Sequence, residues 1–225
     1  MIAQMIQQQI AKKFSNKNIH CISNKQFNNE FTIEIFDTED LLILLQYLKE
    51  DLSIHCEQLI DLCGVDYLHY GISSWDTQSA TSHGFSRAVN NTNKPVSETK
   101  NASRFAIVYH LLSLSKNMRL RVKCFLNDSN LSVPSCVAIW PSANWYEREV
   151  FDLFGINFTN HPNLRRILTD DNFDGFPFRK DFPLSGDLEV RFDAKLQKVI
   201  YEPVNIEPYN VVPKVIRPEK NSETV

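Results

Sequence analysis

The sequence predicts an α+β fold followed by an extended C-terminal arm. Apolar residues recur at helical spacing near the N-terminus and again at 41–48, whereas apolar and polar residues alternate at 31–36 and 120–126. Toward the C-terminus prolines recur every five residues, which excludes a helix there. We therefore predict an α+β globular domain at 1–186, with a flexible insertion at about 73–103, and an extended partner-binding arm at 187–225.

The N-terminal region predicts two helices with a strand between them. The first helix spans 2–14, and its apolar stripe consists of Ile2, Met5, Ile6 and Ile10. A strand follows around 31–36, and Asp37 or Thr38 then caps a second helix that runs to about Lys49. The core-facing stripe of the second helix consists of Leu41, Leu44, Leu45 and Leu48.

The middle of the chain predicts strands on both sides of a polar insertion. An apolar stretch at 59–70 enters a strand, and residues 73–103 are so rich in Ser, Thr and Asn that we expect a long exposed loop. Two paired strands follow at 105–112 and 120–126. In the second strand apolar and basic residues alternate, so one of its faces is expected to meet water.

The C-terminal arm combines regularly spaced prolines with β-branched apolar residues. The prolines are Pro203, Pro208, Pro213 and Pro218. Valines and isoleucines lie between these prolines, and a freely solvated linker would leave such apolar side chains in water. We therefore infer an arm that lies across another surface. An arm packed on its own domain is the alternative.

Composition and charge limit the partners of the chain. The 225 residues are 43% hydrophobic and 23% charged, and the formal net charge is −3. Such a chain buries a sufficient core without disulfides. It lacks the basic excess that would favour nucleic acid or anionic lipid as the main partner. No apolar run approaches the roughly 20 residues of a membrane-spanning helix, and the N-terminus does not resemble a secretory signal.

The cysteines and glycines argue against a bound cofactor. The five cysteines are odd in number, scattered and without a CxxC pair, which predicts a reducing compartment and buried thiols. We accordingly expect neither an iron–sulfur cluster nor a metal site in this chain. The six glycines include no GxG pair, so the usual dinucleotide-binding loop is excluded.

The most informative segment is a helix predicted at 144–154 and ended by Gly155. Its apolar side consists of Tyr146, Val150, Phe151, Leu153 and Phe154. The other side carries Glu149 together with Arg148 and Asp152, which are spaced for an i, i+4 ion pair.

Glu147 is the exception on this helix, because it projects from the apolar side. A carboxylate in such a place must find a cation or several donors, or take up a proton. We expect it to form a buried or interfacial pair with one of three downstream arginines, which are Arg165, Arg166 and Arg179.

Catalysis or metal binding is the alternative role for these charges. The candidate residues are Glu147, Glu149, Asp152 and His161, but their spacing is no compact metal signature, and His161 precedes Pro162 as in a turn. The following loop mixes aromatic residues with Lys180, Asp181 and other charges, as protein interfaces do. Residues 140–183 hold seven acidic and five basic residues, which argues against single-stranded nucleic acid.

Several motifs together resemble the 30 kDa protein family of respiratory complex I, the proton-pumping NADH:quinone oxidoreductase, whose members are its C subunit. The central motif is Glu147–Gly155 (EREVFDLFG), followed by His161-Pro162 and by LRRIL at 164–168. The runs FRKDFPL at 178–184, EVRFD at 189–193 and VIYEP at 199–203 continue the likeness. The resemblance covers about 104–217 well and is weaker before residue 103, where only 61–67 stands out.

The resemblance implies a non-redox structural subunit of the peripheral arm. Its fold would be a two-layer domain with a mixed β-sheet packed on helices, and its arm would wrap over a neighbouring protein. FMN and iron–sulfur clusters would reside on partner subunits, and the main contacts would be the quinone-site D subunit and cluster-bearing subunits. The chain would then meet the membrane only through the complex, and the ten charged residues named above from Glu147 to Asp181 would form interface or structural ion pairs.

Two other readings stay open on the sequence alone. The chain could be the homologous subunit of a membrane hydrogenase or of a quinone oxidoreductase with another electron donor, because donor choice resides in other subunits. It could also be a stand-alone acid–base enzyme. For location we favour the cytoplasmic side of a bacterial inner membrane, with the matrix side of the mitochondrial inner membrane as the alternative, because the N-terminus does not look like a transit peptide.

Overall fold

The computed structural model describes residues 2–23, 30–68, 70, 72–73, 76–77, 89–90, 94–95, 103–183, 185–186 and 188–205. These residues fall into two units, one within 1–68 and 101–182 and the other within 69–100 and 183–225. The arm beyond residue 205 and most of the insertion at 73–103 lie outside the described residues. The domain boundary after residue 186 stays a prediction.

The described chain is built from three α-helices, one short 3₁₀ helix and thirteen strands. The helices are α1 (Ile2–Lys13), the 3₁₀ helix (Thr38–Asp40), α2 (Leu41–Glu50) and α3 (Ala143–Phe154). The strands are β1 (Ile19–Ser23), β2 (Glu30–Ile35), β3 (Gln58–Asp66), β4 (Ile72–Ser73), β5 (Asp76–Thr77), β6 (Val89–Asn90), β7 (Lys94–Pro95), β8 (Phe105–Ser113), β9 (Met118–Phe125), β10 (Ser132–Pro134), β11 (Asn157–Thr159), β12 (Leu188–Asp193) and β13 (Lys198–Pro203).

A five-stranded mixed sheet lies at the centre of the first unit, with the strand order β1-β2-β9-β8-β3. The β2–β9 pair is parallel, whereas the other three pairs are antiparallel. The predicted α+β class is thereby confirmed. The predicted strands at 31–36, 105–112 and 120–126 are also confirmed, each within two residues of its bounds.

One face of this sheet shares a single buried core with all three α-helices. Alternate residues of β2 are buried, as its pattern predicts, and the predicted leucine stripe of α2 is fully buried. Full burial of a leucine side chain stabilises a fold by about 2 kcal/mol, so this stripe is a major source of stability. The predicted wet face of β9 is confirmed by the exposure of Arg119 and Arg121.

The beginning of α2 and the stripe of α1 differ from the predictions. The 3₁₀ helix moves the N-cap of α2 to Asp40, which makes no side-chain capping hydrogen bond, so neither Asp37 nor Thr38 caps α2. The 3₁₀ turn precedes α2 because the backbone N–H of Asp40 donates to the carbonyl of Asp37 (3.2 Å). In α1, Met5 is 60% exposed and does not belong to the buried stripe that Ile6 and Ile10 form.

The second unit contains an antiparallel hairpin of β12 and β13, paired from Leu188↔Pro203 to Asp193↔Lys198. The arm predicted from residue 187 therefore begins as a paired hairpin, and its continuation lies outside the described residues. The regular prolines begin only at Pro203, the last residue of β13, so the preceding backbone can pair. Two two-residue ladders, β4 with β7 and β5 with β6, are also described within this unit.

Across the described ranges, no helix combines the length and the apolar character that crossing a lipid bilayer requires.

Gly64 of β3 lies directly against the ring of Phe154 of α3. A Cβ at this position would lie 2.7 Å from Phe154 Cδ2, well inside the ~3.5–4.0 Å at which carbon atoms pack. We expect Gly64→Ala to lower the free energy of unfolding by about 1–3 kcal/mol, the usual cost of overpacking. Urea unfolding of Gly64→Ala, Phe154→Leu and the double variant measures these free energies. If the loss in the double variant equalled the sum of the two single losses, residues 64 and 154 would not interact and the contact would be contradicted.

Candidate functional site

The helix α3 buries three charged side chains, which is unusual for a helix of this length. Glu147 and Asp152 are 0% exposed and Arg148 is 7% exposed, whereas Glu149 is exposed. The helix ends at Gly155, whose N–H donates to the carbonyl of Phe151 and whose left-handed backbone (φ 71°) then turns the chain out of the helix. The residues that follow, 164–182, fold back against α3, and we refer to them as the clasped loop.

Asp152 holds the beginning of the clasped loop. Its Oδ2 accepts hydrogen bonds from three successive backbone N–H groups, at distances of 2.9, 2.7 and 2.9 Å, which belong to Ile167, Leu168 and Thr169. Its Oδ1 accepts from Arg166 Nη1 (2.9 Å) and from the Thr169 hydroxyl. One buried carboxylate thus fixes the backbone of three consecutive loop residues.

The number of donors decides the charge state of Asp152. Burial by itself would raise the pKa of this carboxyl, but the Thr169 hydroxyl and the three backbone N–H groups outweigh burial and hold the pKa well below its ordinary range. Asp152 is therefore an anion at neutral pH, and Arg166 is its ionic partner.

Arg148 does not pair with Asp152, so the predicted i, i+4 ion pair is wrong. Its guanidinium donates instead to the backbone carbonyls of Arg165 (3.3 Å) and Arg166 (3.2 Å). It also lies over the ring of Trp145, with 5.2 Å between the guanidinium carbon and the ring centroid. Spacing alone could not reveal this, because the competing acceptors come from a loop that folds back over the helix.

Among the residues that the structure describes, Glu147 pairs with no arginine, so the predicted buried pair with Arg165, Arg166 or Arg179 is wrong. Its Oε2 accepts from the Ser135 hydroxyl (2.6 Å) and its Oε1 from the backbone N–H of Cys136 (2.7 Å). These donors follow β10, which is held in place by its parallel pairing with β11. Burial is the dominant influence and raises the pKa of Glu147, although these two hydrogen bonds and His161 act in the opposite direction.

His161 completes this buried cluster from the turn that follows β11. Its Nδ1 accepts the backbone N–H of Asn163 (3.0 Å), so the ring proton is placed on Nε2, which lies 3.2 Å from the carbonyl of Asn144. Nε2 is 3.9 Å from Glu147 Oε2, and both side chains are fully buried. These two hydrogen bonds position the ring in the turn at Pro162.

The end of α3 is capped by the later part of the clasped loop. The backbone N–H of Phe178 donates to the carbonyl of Leu153 (3.1 Å), and Arg179 Nε donates to the carbonyl of Phe154 (2.7 Å). The guanidinium carbon of Arg179 lies 5.1 Å from the ring centroid of Phe105 and 4.3 Å from that of Phe176. A cation is thus placed at the negative end of the helix dipole.

Arg104 closes the clasped loop onto the sheet. It forms a two-pronged pair with Asp66 at the end of β3 (3.0 and 2.8 Å) and a second with Asp181 (3.1 and 2.8 Å). The backbone N–H of Lys180 also donates to Asp66 Oδ2 (2.9 Å). Burial would raise the pKa of Asp66, but Arg104 and the backbone donors lower it to about 2.

The acid–base alternative finds no support in this geometry. Asp152 is fully engaged by loop donors, Glu149 is exposed, and only Glu147 and His161 are neighbours, both sealed from solvent. What the arrangement does is hold a surface rigid. The clasped loop exposes the apolar side chains of Leu168 (65%) and Phe178 (56%), and Arg165 and Lys180 of the same loop are also exposed.

Three groups that organise the site were not identified from the sequence. Arg104 and Asp66 lie 38 residues apart, and the hydroxyl of Ser135 lies 12 residues before Glu147, so no local spacing connects them. For Asp66 the sequence offered one signal, since the residue lies within the run 61–67 that resembles the family.

Known proteins match this chain over most of its length. The family model described as "Respiratory-chain NADH dehydrogenase, 30 Kd subunit" matches residues 35–188. The C subunit of NADH-quinone oxidoreductase from Legionella pneumophila (strain Corby) is 58% identical over 188 residues, which cover 84% of this chain and 82% of that protein. The protein of the same name from Coxiella burnetii (strain Dugway 5J108-111) is 50% identical over 192 residues, covering 85% and 84%.

Two solved structures are also similar. The trypsin-resistant fragment (1-134) of Nqo5 aligns with a TM-score of 0.50 and 25% identity, covering 73% of this chain and all 100% of that one. A chain of the membrane-bound sulfane sulfur reductase (MBS), an archaeal respiratory membrane complex, aligns with a TM-score of 0.55 and 19% identity, covering 82% and 87%. The second likeness is one of fold alone.

We expect Asp152→Asn to lower the free energy of unfolding by about 3 kcal/mol at neutral pH, because it leaves Arg166 and several loop donors without an anion. Because the pKa of Asp152 is lowered in the folded protein, the difference in free energy of unfolding between the wild type and the variant should have its full value above about pH 4. This difference should shrink as the pH falls below 3.8, the ordinary pKa of an aspartate. Urea unfolding from pH 3 to 8 measures it, with exposed Glu149→Gln on the same helix as the control. An equal loss in both variants would count against the role of Asp152.

We expect the opposite pH dependence for Glu147→Gln. The amide keeps an acceptor for the Cys136 N–H and offers a donor to the Ser135 hydroxyl, but it carries no buried charge. Because the pKa of Glu147 is raised, the wild type should lose stability relative to the variant as pH rises above its ordinary value of 4.5. Each unit of pKa elevation corresponds to about 1.4 kcal/mol. A wild type that gains on the variant as pH rises would refute the assignment.

Proposed function

The chain belongs to the 30 kDa subunit family of respiratory-chain NADH dehydrogenase and is a peripheral subunit of complex I, and we propose that its task there is structural. In this proposal electrons pass from NADH to quinone through other subunits, with ion translocation elsewhere in the complex. This chain binds its neighbours and keeps them in register. Because electron transfer and quinone binding tolerate little displacement, a rigid clamp contributes to turnover without supplying a reacting group.

The observation that carries the proposal is the apolar face of the β12–β13 hairpin. Cross-strand pairing places Val190 opposite Tyr201 and Phe192 opposite Val199, so these side chains share one face. All four are between 55% and 62% exposed, as is Leu188 at 59%. A contiguous apolar strip of this kind on a two-stranded ribbon is typical of a protein interface.

The opposite face of the hairpin has the character of a solvated surface. Glu189 lies opposite Glu202, and Arg191 Nε donates to Glu202 Oε1 (2.6 Å). Asp193 lies opposite Lys198 at the end of the ladder. The contrast between the two faces supports a partner that covers one side of the ribbon only.

We further propose that the clasped loop is a second contact surface, formed by Leu168 and Phe178 with Arg165 and Lys180. Its backbone is held by hydrogen bonds to Asp152 and Asp66, so little conformational entropy is lost when a partner binds it. Exposed aromatic residues beside arginine are common at the centres of interfaces. The proposed partners are the quinone-site D subunit and the cluster-bearing subunits of the peripheral arm.

The proposal assigns no flavin, nicotinamide or iron–sulfur cluster to this chain. All five cysteines are free thiols, and burial raises the pKa of Cys56 and of Cys124 to about 12. Iron–sulfur clusters are usually held by closely spaced cysteines, and the sequence offers no CxxC pair. FMN and the clusters would accordingly be held by partner subunits.

We propose that the chain is held at the cytoplasmic side of a bacterial inner membrane through those partners. Relatives in Legionella and Coxiella support the bacterial over the mitochondrial alternative. Their common name also favours NADH as the donor of the complex over a hydrogenase or another donor.

We expect Phe192→Ser with Tyr201→Ser to reduce the amount of assembled complex by more than about fivefold, because two interface aromatic residues each contribute roughly 1–2 kcal/mol or more. Native gel electrophoresis of membranes measures assembled complex, and NADH:quinone reductase activity per assembled complex should be unchanged. The matched control is Glu189→Ser with Lys198→Ser, away from this aromatic pair, which should assemble normally. Normal assembly of the aromatic variant, or full assembly without turnover, would contradict the proposal.

A further inference from the structure

Three side chains with metal-binding atoms meet on the side of the sheet that faces away from the core, at β3 and β8. Asp61 and Cys63 are two residues apart on β3 and therefore project to the same face. His110 of β8 is the direct cross-strand partner of Asp61. One ligand atom of each lies within 4.8 Å of the others, and all three residues are partly exposed.

An irregularity in β3 creates this arrangement. Leu59 pairs with Leu111, but the register then shifts, so that Asp61 rather than Ile60 pairs with His110. In a regular ladder Asp61 would pair with Tyr109 and point into the core; the extra residue turns it outward instead. Leu59 and Leu62 are both buried although they are three residues apart, which shows that the strand changes face between them. At the bulge the Tyr146 hydroxyl donates to the carbonyl of Ile60 (2.9 Å).

The donor set identifies the kind of ion that fits. An imidazole nitrogen, a thiolate sulfur and a carboxylate oxygen are the three ligand types of Zn²⁺, whereas Mg²⁺ and Ca²⁺ prefer oxygen alone. Tetrahedral bonds of about 2.0–2.3 Å place neighbouring ligand atoms roughly 3.4 Å apart, so small side-chain rotations suffice to close the site. We propose that Asp61, Cys63 and His110 bind a zinc-class divalent ion, with the fourth position open to water.

The charges around the site are mixed. The carboxylates of Asp61 and Glu149 act on Cys63, and the guanidinium of Arg121, whose residue pairs with His110 across the strands, acts in the opposite sense. A bound divalent cation offsets these negative charges and stabilises the thiolate. A neutral imidazole is the form of histidine that coordinates a metal.

The site goes beyond the structural role proposed above and does not depend on it. Within the part of the chain that the structure describes, it is the one cluster of three such ligands. The sequence predicted no metal site, because Cys63 and His110 are 47 positions apart and only the antiparallel pairing of β3 with β8 joins them. Zinc has no redox chemistry, so its presence would leave the path of electrons unchanged.

Titration of the full 225-residue chain, free of a histidine tag and stripped of metal by a chelator, tests the proposal. Zn²⁺ alone is titrated by calorimetry, and Co²⁺ is used as a spectroscopic probe of thiolate coordination. We expect one ion per chain, with affinity lowered at least about tenfold in Cys63→Ser and in His110→Gln, since loss of even an outer partner costs that much. The thiolate-to-Co²⁺ absorption band should vanish in Cys63→Ser.

The matched controls are Cys21→Ser and His20→Gln on β1, which should bind Zn²⁺ as the wild type does and keep the Co²⁺ band. Circular dichroism verifies that each variant is folded, and His110→Gln gives an independent result if Cys63→Ser is not. Unchanged Zn²⁺ affinity in a folded ligand variant, a Co²⁺ band that persists in folded Cys63→Ser, or no binding by the wild type would overturn the proposal. None of these results bears on complex assembly, so the structural role is tested separately.

Discussion

The rest of the structure around α3 depends on the buried carboxylate of Asp152 and the donors that converge on it. Because three successive N–H groups of the clasped loop point at one oxygen, the loop backbone has little freedom between Ile167 and Thr169. The later contacts of Arg179 with the helix end and of Asp181 with Arg104 can then form without a large loss of chain entropy. The most distinctive sequence motif of the protein is thus explained by architecture.

Two acidic residues of one helix are treated in opposite ways by their surroundings. Asp152 meets an arginine and several N–H groups and remains ionised, whereas Glu147 meets one hydroxyl, one N–H group and the imidazole of His161, and burial dominates its pKa. The difference arises from the number of donors within reach, since both side chains are inaccessible to solvent. A buried carboxylate is therefore not by itself a sign of catalysis.

The elements were predictable where one local period decides them. The leucines of α2 and the alternating residues of β2 bury as their spacing requires, and Gly155 ends α3 because it alone tolerates the left-handed turn without strain. The pairing of charges was not predictable, because the donors for Glu147 come from Ser135 and Cys136, and those for Asp152 from a loop that folds back. The register shift in β3 could not be predicted either, because one extra residue in a strand of nine does not visibly change the alternation of apolar and polar residues.

The two-stranded hairpin has a further consequence for how the protein joins its complex. An isolated ribbon of two strands is only marginally stable in water, and this one leaves its aromatic face uncovered. Docking would therefore order the ribbon as it buries it, and part of the gross contact energy would be consumed in that ordering. Association of this kind shows a large negative heat-capacity change with a modest net affinity, which would let the protein exchange during biogenesis before the complex is complete.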